Sequence, residues 1–140
     1  MSLRVLGVAG SLRRGSFNRA LLRAATELAP DGMAITIFDG LAAIPPGKSV
    51  LNGKPAAIMG ATPGATGTTR AQLALRQSFV FTNTCALLQP EVLVARAHEK
   101  IDAAGRVTDA TTRKLVAQLL AAFADWAPRV GTAAGATRAS

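Results

Sequence analysis

Apolar residues recur along this chain with two different periods, and the switches between them divide it into elements. Leu3 to Ala9 is a short apolar run rich in Val and Leu, the pattern of a buried strand. Phe17, Leu21, Ala24 and Leu28 then fall at helical spacing, with Ser16 placed to cap a helix that reaches about Leu28. Pro30-Asp31-Gly32 is a turn. Met33 to Phe38 alternates, with Met33, Ile35 and Ile37 on one side, and predicts a second strand. A strand, helix and strand in this order predict a parallel pair with a right-handed crossover.

The pattern then lapses. Asp39 to Lys54 holds Gly40, Pro45, Pro46, Gly47 and Gly53 and reads as loop. Pro55 to Gly60 predicts a third strand, and Ala61 to Gly67 a second Gly-bearing loop. Thr68 to about Phe81 reads as a helix with Ala71, Leu75, Ser78 and Phe79 on one face. Cys85 to Val94 reads as a fourth strand interrupted at Pro90, and His98 to Val107 as a turn or short ribbon. Thr108 is placed to cap a last helix, with Asp109 favourable to its dipole. Leu115, Leu119, Phe123 and Trp126 form the apolar stripe of that helix, and Pro128 is expected to end it. The expectation is one α/β domain over residues 1–128 and a flexible tail over residues 129–140, with no internal repeat.

Composition narrows the class. The length of 140 residues suits one domain, and 49% apolar residues allow a core. Much of that fraction is Ala, so Leu, Ile and Val must carry the packing. The formal net charge is +8, and Arg outnumbers Lys twelve to four. Arg favours bidentate contact with phosphate or carboxylate, so an anionic partner fits, as does a plain solubility bias. A single cysteine, Cys85, leaves no intrachain disulfide and no Cys-rich metal site. No signal peptide and no apolar run long enough to span a bilayer is seen, so a cytoplasmic protein without membrane attachment is expected.

The segment Gly10-Ser11-Leu12-Arg13-Arg14-Gly15-Ser16-Phe17-Asn18 links the first strand to the first helix. A helix start exposes unpaired N–H groups and partial positive charge, and a Gly-bearing loop can bring them onto a phosphate. Ser11, Ser16 and Asn18 add neutral donors, and Arg13 and Arg14 add charge. The set suits a phosphate with about two negative charges. A triphosphate loop would need Lys and Ser or Thr after Gly15, where Ser16 and Phe17 stand instead. The dinucleotide pattern is also missing, because no second Gly follows Gly10 in place. The competing reading is an ordinary polar turn.

Gly10-Ser11-Leu12-Arg13-x-x-Ser16-x-Asn18 after the first strand resembles the phosphate loop of NAD(P)H-dependent FMN reductases, a family that includes chromate, quinone and azo-dye reductases. The resemblance continues through Leu51-Asn52-Gly53-Lys54-Pro55, Gly60-Ala61-Thr62-Pro63-Gly64, Arg70-Ala71-Gln72-Leu73-x-Leu75-Arg76-Gln77, Pro90-Glu91-Val92 and the last helix. It implies a flavodoxin-like, doubly wound parallel sheet, truncated to about four strands and three helices. It implies FMN and NAD(P)H as cofactors. Ser11, Arg13, Ser16, Phe17 and Asn18 would hold the FMN phosphate, and Thr62, Pro63, Gly64 and Gly67 would lie along the flavin ring. It implies electron transfer from NAD(P)H through FMN to a quinone, flavin or similar small acceptor, in a homodimer or homotetramer.

The chain departs from that family after its second strand. A further strand and helix, with a Pro-Glu-Tyr-Asn loop between them that flanks the flavin, should follow. Instead Ile44-Pro45-Pro46-Gly47 runs toward Leu51-Asn52-Gly53, and the chain has no Tyr. A block of about 50 residues, enough for a strand and crossover helix, is missing by this resemblance. In the strand order 2-1-3-4-5 the missing strand is central. The third observed strand could slide beside the first, which would leave one sheet face poorly covered, or the protein could be partly folded or depend on a partner.

Two other functions stand beside the reductase: a truncated FMN- or phosphate-binding remnant without turnover, and a basic nucleic-acid-binding module. The second lacks aromatic platforms and a helix-turn-helix pattern, so nucleic acid is not expected as a partner. His98 reads as an exposed turn residue, Cys85 as a small core residue and Trp126 as packing. Asp102 and Asp109 read as turn and helix-start residues, and no residue of the chain is assigned as catalytic.

Overall fold

The computed structural model describes residues 2–10, 15–38 and 51–136, with side chains as far as residue 130. Strand β1 (Leu3–Val8) and strand β2 (Met33–Phe38) pair in parallel, Leu3 opposite Met33 and Val8 opposite Phe38. Helix α1 (Phe17–Glu27) is the crossover between them. Leu21 and Ala24 are buried, and Phe17 and Leu28 pack against the core, as the helical spacing predicts. The helix sits close on its strand because Gly7 has no side chain: a Cβ there would lie 2.7 Å from Leu22 Cδ1.

The third and fourth strands each form in two pieces. Strand β3 (Pro55–Ala56) continues as β4 (Met59–Ala61), and β5 (Cys85–Ala86) continues as β6 (Val92–Val94). β3 pairs in parallel with β5, and β4 with β6. Pro90 in the interruption has no N–H to give a ladder. Helix α2 (Thr69–Thr82) connects the two strands. Its inner face is Gln72, with Arg76 and Phe79 half-buried, while Leu75, expected inside, is exposed. The Arg76 guanidinium donates to the Leu87 carbonyl at 3.2 Å, so a charged residue takes a half-buried position on this face.

Helix α3 (Ala97–Lys100) and an antiparallel bridge between Ile101 and Val107 occupy the expected ribbon. Helix α4 (Ala110–Ala136) then packs beside α1 and buries Val116, Leu119, Leu120, Phe123 and Ala127, a broader stripe than expected, with Leu115 and Trp126 at its margin. Two expectations change here. The capping side chain is Asp109, not Thr108: its Oδ2 accepts the Thr112 N–H at 2.7 Å and the Thr112 hydroxyl at 2.6 Å. Thr108 donates its hydroxyl to the Lys100 carbonyl at 3.2 Å and closes the ribbon. Pro128 lies inside α4 and does not end it; a proline forfeits one helical bond without preventing the helix from continuing.

The result is the truncated flavodoxin-like α/β fold, with β1–β2 on one side and the two β3–β5 and β4–β6 ladders on the other. The third strand has not slid beside the first. Among the described residues β1 is hydrogen-bonded to β2, and β3 and β4 to β5 and β6. One sheet face is uncovered beside this break: Leu6 is 62% exposed and Val8 46%, while Gly7 and Ala9 on the α1 side are buried.

Candidate active site at the strand ends

In parallel α/β sheets ligands bind beyond the carboxyl ends of the strands. Three segments meet there: the start of α1, the loop after β4 and the turn after β6. Ser16 precedes α1 with an extended backbone, and its side chain makes no capping bond to the helix. It is nevertheless buried. Its carbonyl accepts the Ala20 N–H at 3.1 Å, the first helical bond. The N–H groups before Ala20 therefore point out of the helix end with its partial positive charge.

Asn18, read from sequence as a phosphate donor, has a second task. Its Oδ1 accepts the Ala61 N–H at 2.9 Å, which fixes the α1 start to the end of β4. This brings the α1 start to the strand end from which the loop Thr62 to Gly67 leaves. Ser11 and Arg13 lie outside the described residues.

The second loop is held by its backbone. The Thr62 N–H donates to the Val94 carbonyl at 3.0 Å, and the Thr62 carbonyl accepts from Ala97 at 2.9 Å. Gly64 donates to Thr62 Oγ1 at 3.3 Å and accepts the Arg96 N–H at 3.0 Å. Pro63 and Gly64 themselves are exposed. Gly67 has φ +64, and a Cβ there would sit 3.0 Å from the Leu93 carbonyl oxygen, so both torsion and space call for glycine. Gly60 admits Thr68 against β4, where a Cβ would lie 2.9 Å from Thr68 Cβ. The loop thus presents backbone and small side chains outward, as approach by a flat ring requires.

Arg96 is the residue that sequence reading passed over. It follows β6 with left-handed backbone (φ 48), binds the Gly64 carbonyl through its N–H, and lies 3.7 Å from Glu99. Its only sequence signal was a cation directly after a strand. A cavity of about 170 Å³ opens beside the α1 start, between Ser16, Phe17, Arg23 and the turn Ile101 to Gly105. A larger groove of about 340 Å³ lies between Phe79, Val80, Thr84 and Leu88, at the amino end of β5 and away from the strand ends.

The remaining candidates stay structural. His98 is exposed and 3.7 Å from Glu99. Cys85 is a half-buried free thiol in β5. Trp126 packs on Phe123 with ring centroids 6.2 Å apart. The backbone N–H of Arg106, followed by its guanidinium, holds the Asp102 carboxyl below the usual value. The Thr112 hydroxyl and N–H do the same for Asp109. Among the described residues no group of acidic, His or Cys side chains could hold a metal, and no helix is long and apolar enough to cross a membrane.

A parallel α/β domain in which a helix start and a small-residue loop meet at the carboxyl ends of the strands belongs to the flavodoxin-like class. The NADPH-dependent FMN reductase family matches this chain over residues 3–48 and 36–99, and the chain belongs to that family. It is 32% identical to an NAD(P)H-dependent FMN reductase of Pseudomonas aeruginosa, over 91% of this chain and 97% of that one. It is 28% identical to a 2-hydroxy-1,4-benzoquinone reductase of a Burkholderia species, over 90% of this chain and 97% of the other. The solved structure of FerB, a flavoenzyme NAD(P)H:(acceptor) oxidoreductase from Paracoccus denitrificans, superimposes with a TM-score of 0.71 at 23% identity, over 92% of this chain and 98% of that one.

The alignment with the Pseudomonas protein runs over 180 positions but uses 91% of a 140-residue chain, so about fifty positions have no counterpart here. The family match falls in two pieces that meet at residues 36–48, which places the missing block after β2.

Proposed function

We propose that residues 1–128 bind FMN across the carboxyl ends of β1 and β4. In this reading the protein is an NAD(P)H-dependent oxidoreductase with a small acceptor such as a quinone or free flavin. The observation that carries this is the Asn18–Ala61 hydrogen bond, which joins the start of α1 to the end of β4, where the loop proposed to face the ring begins.

The residues present fit the group in two places. The α1 start offers N–H groups and a buried Ser16 to the phosphate, with Phe17 and Asn18 next in the helix and Ser11 and Arg13 a few residues earlier in sequence. Thr62, Pro63, Gly64 and Gly67 offer a backbone surface to one side of the ring, and the cradle at Gly67 would be filled by any Cβ. Bound FMN supplies the redox chemistry, taking hydride equivalents from a nicotinamide and giving electrons to the acceptor. This chain's residues bind the phosphate, orient the ring and keep the loop close, and no side chain is assigned a proton transfer. The protein would work in the cytoplasm as a homodimer or homotetramer.

A second reading, FMN binding without turnover, is favoured by the uncovered face at Leu6 and Val8 and the missing block after β2. One experiment separates the two. The protein is saturated with FMN, freed of excess and mixed with NADPH and a quinone. Retained flavin absorbance with NADPH consumption supports the reductase. Retained flavin without consumption supports the remnant, and absence of retained flavin removes both.

A further inference from the structure

Among the described residues the sheet is broken between β1 and β4, and each of these strands turns backbone groups toward the break. Leu3 donates its N–H to Gly32 in the turn before β2 at 2.7 Å. In a parallel strand alternate residues face the same neighbour, so Leu3, Val5 and Gly7 face β2 and Arg4, Leu6 and Val8 present N–H and C=O to the other side. On β4, Thr62 donates to Val94 of β6 at 3.0 Å, so Met59 and Ala61 face away from β6. The Ala61 N–H is taken by Asn18. Helix α1 spans the break, seated on β1 through Leu22 against Gly7 and tied to β4 through Asn18, so that side is roofed. The opposite side is not, because Leu6 and Val8 are exposed there.

Two further facts bear on what belongs in this place. The relatives carry about fifty positions after β2 that this chain lacks, enough for one strand and one helix. The chain still superimposes on the solved flavoenzyme with a TM-score of 0.71 over 92% of its residues, and α1 touches both β1 and β4. In the strand order of this fold the position between them is that of the central strand.

We propose that the break between β1 and β4 is a receptor slot for a strand–helix segment supplied by a separate polypeptide. The strand adds in parallel between Arg4, Leu6 and Val8 on one edge and Met59 on the other, by strand addition to an open sheet edge. The helix that follows lays an apolar face over Leu6 and Val8. The occupant is thus an extended apolar segment leading into an amphipathic helix. This inference rests on the fold and not on the cofactor reading.

The test uses the full chain and a synthetic polypeptide carrying the positions of the Pseudomonas protein that have no counterpart here, with a scrambled polypeptide as control. Binding is followed by light scattering on a sizing column and by amide hydrogen exchange, neither of which needs FMN. The expected result is a one-to-one complex in which exchange at Leu6, Val8 and Met59 slows at least tenfold, and the scrambled polypeptide has no effect. Leu6→Asp, checked for folding by circular dichroism, is expected to weaken binding at least tenfold, since a charge would lie beneath the apolar helix. Absence of a complex, or a complex that leaves those amides unprotected, overturns the proposal. So does protection of Leu6 and Val8 in the chain alone as a self-associated dimer, because a second copy would then close the slot.

Discussion

The side chain of Asn18 accepts the backbone N–H of Ala61 at 2.9 Å across 43 residues of sequence, and this bond joins the start of α1 to the end of β4, the two places proposed to receive the cofactor. Replacing Asn18 by Leu leaves a part-buried N–H without its acceptor, and the expected loss is about 1–3 kcal/mol of stability. FMN affinity is expected to fall with it. Asn18→Asp keeps an acceptor for Ala61 but sets a negative charge beside the phosphate, so stability should be nearly retained while FMN affinity drops. Urea unfolding and flavin fluorescence titration on both variants check the pair of outcomes.

Gly67 gives an independent handle on the ring-side loop. Its left-handed torsion and the Leu93 carbonyl 3.0 Å from a Cβ position both resist a side chain. Gly67→Ala is expected to destabilise the protein by about 1–3 kcal/mol and to loosen the loop. Thermal unfolding measures the first effect. The dissociation constant for FMN measures the second, and an unchanged value would separate this loop from the cofactor.

Acid sensitivity is expected at the start of α4. Thr112 holds the Asp109 carboxyl below its ordinary value in the folded chain. A depressed folded pKa contributes stability that is fully present above the unfolded value, about 3.9, and that is lost as pH falls through the folded one. Urea midpoints should therefore hold from neutrality to about pH 5 and decline below about pH 4. Asp109→Ala removes the cap, at an expected cost of about 1 kcal/mol at neutral pH, and should flatten the acid limb. Equal acid limbs in the variant and parent would contradict the assignment.

Much of this was readable from residue order, where local chemistry decides. β1, α1 and β2 follow from apolar spacing with little tertiary help. What was not readable depended on distant partners. Asp109 rather than Thr108 caps α4 because Thr108 is engaged by Lys100, a contact made by folding the ribbon. The inner face of α2 passes through Gln72, whose amide donates to the Val92 carbonyl at 3.0 Å, and not through Ala71 and Leu75, where periodicity placed it. Asn18 looked like a ligand donor, and only the approach of β4 shows its other role. The break between β1 and β4 was legible as a missing block, but whether β4 would move to fill it depended on α1, which holds both strands where they are.

The central claim is that the α1 start holds the phosphate of FMN, and riboflavin tests it most directly because it carries the same ring without that group. Fluorescence titrations with both ligands should give an affinity for FMN at least a hundredfold higher, about 2.7 kcal/mol in binding free energy. Equal affinities for FMN and riboflavin would contradict the account.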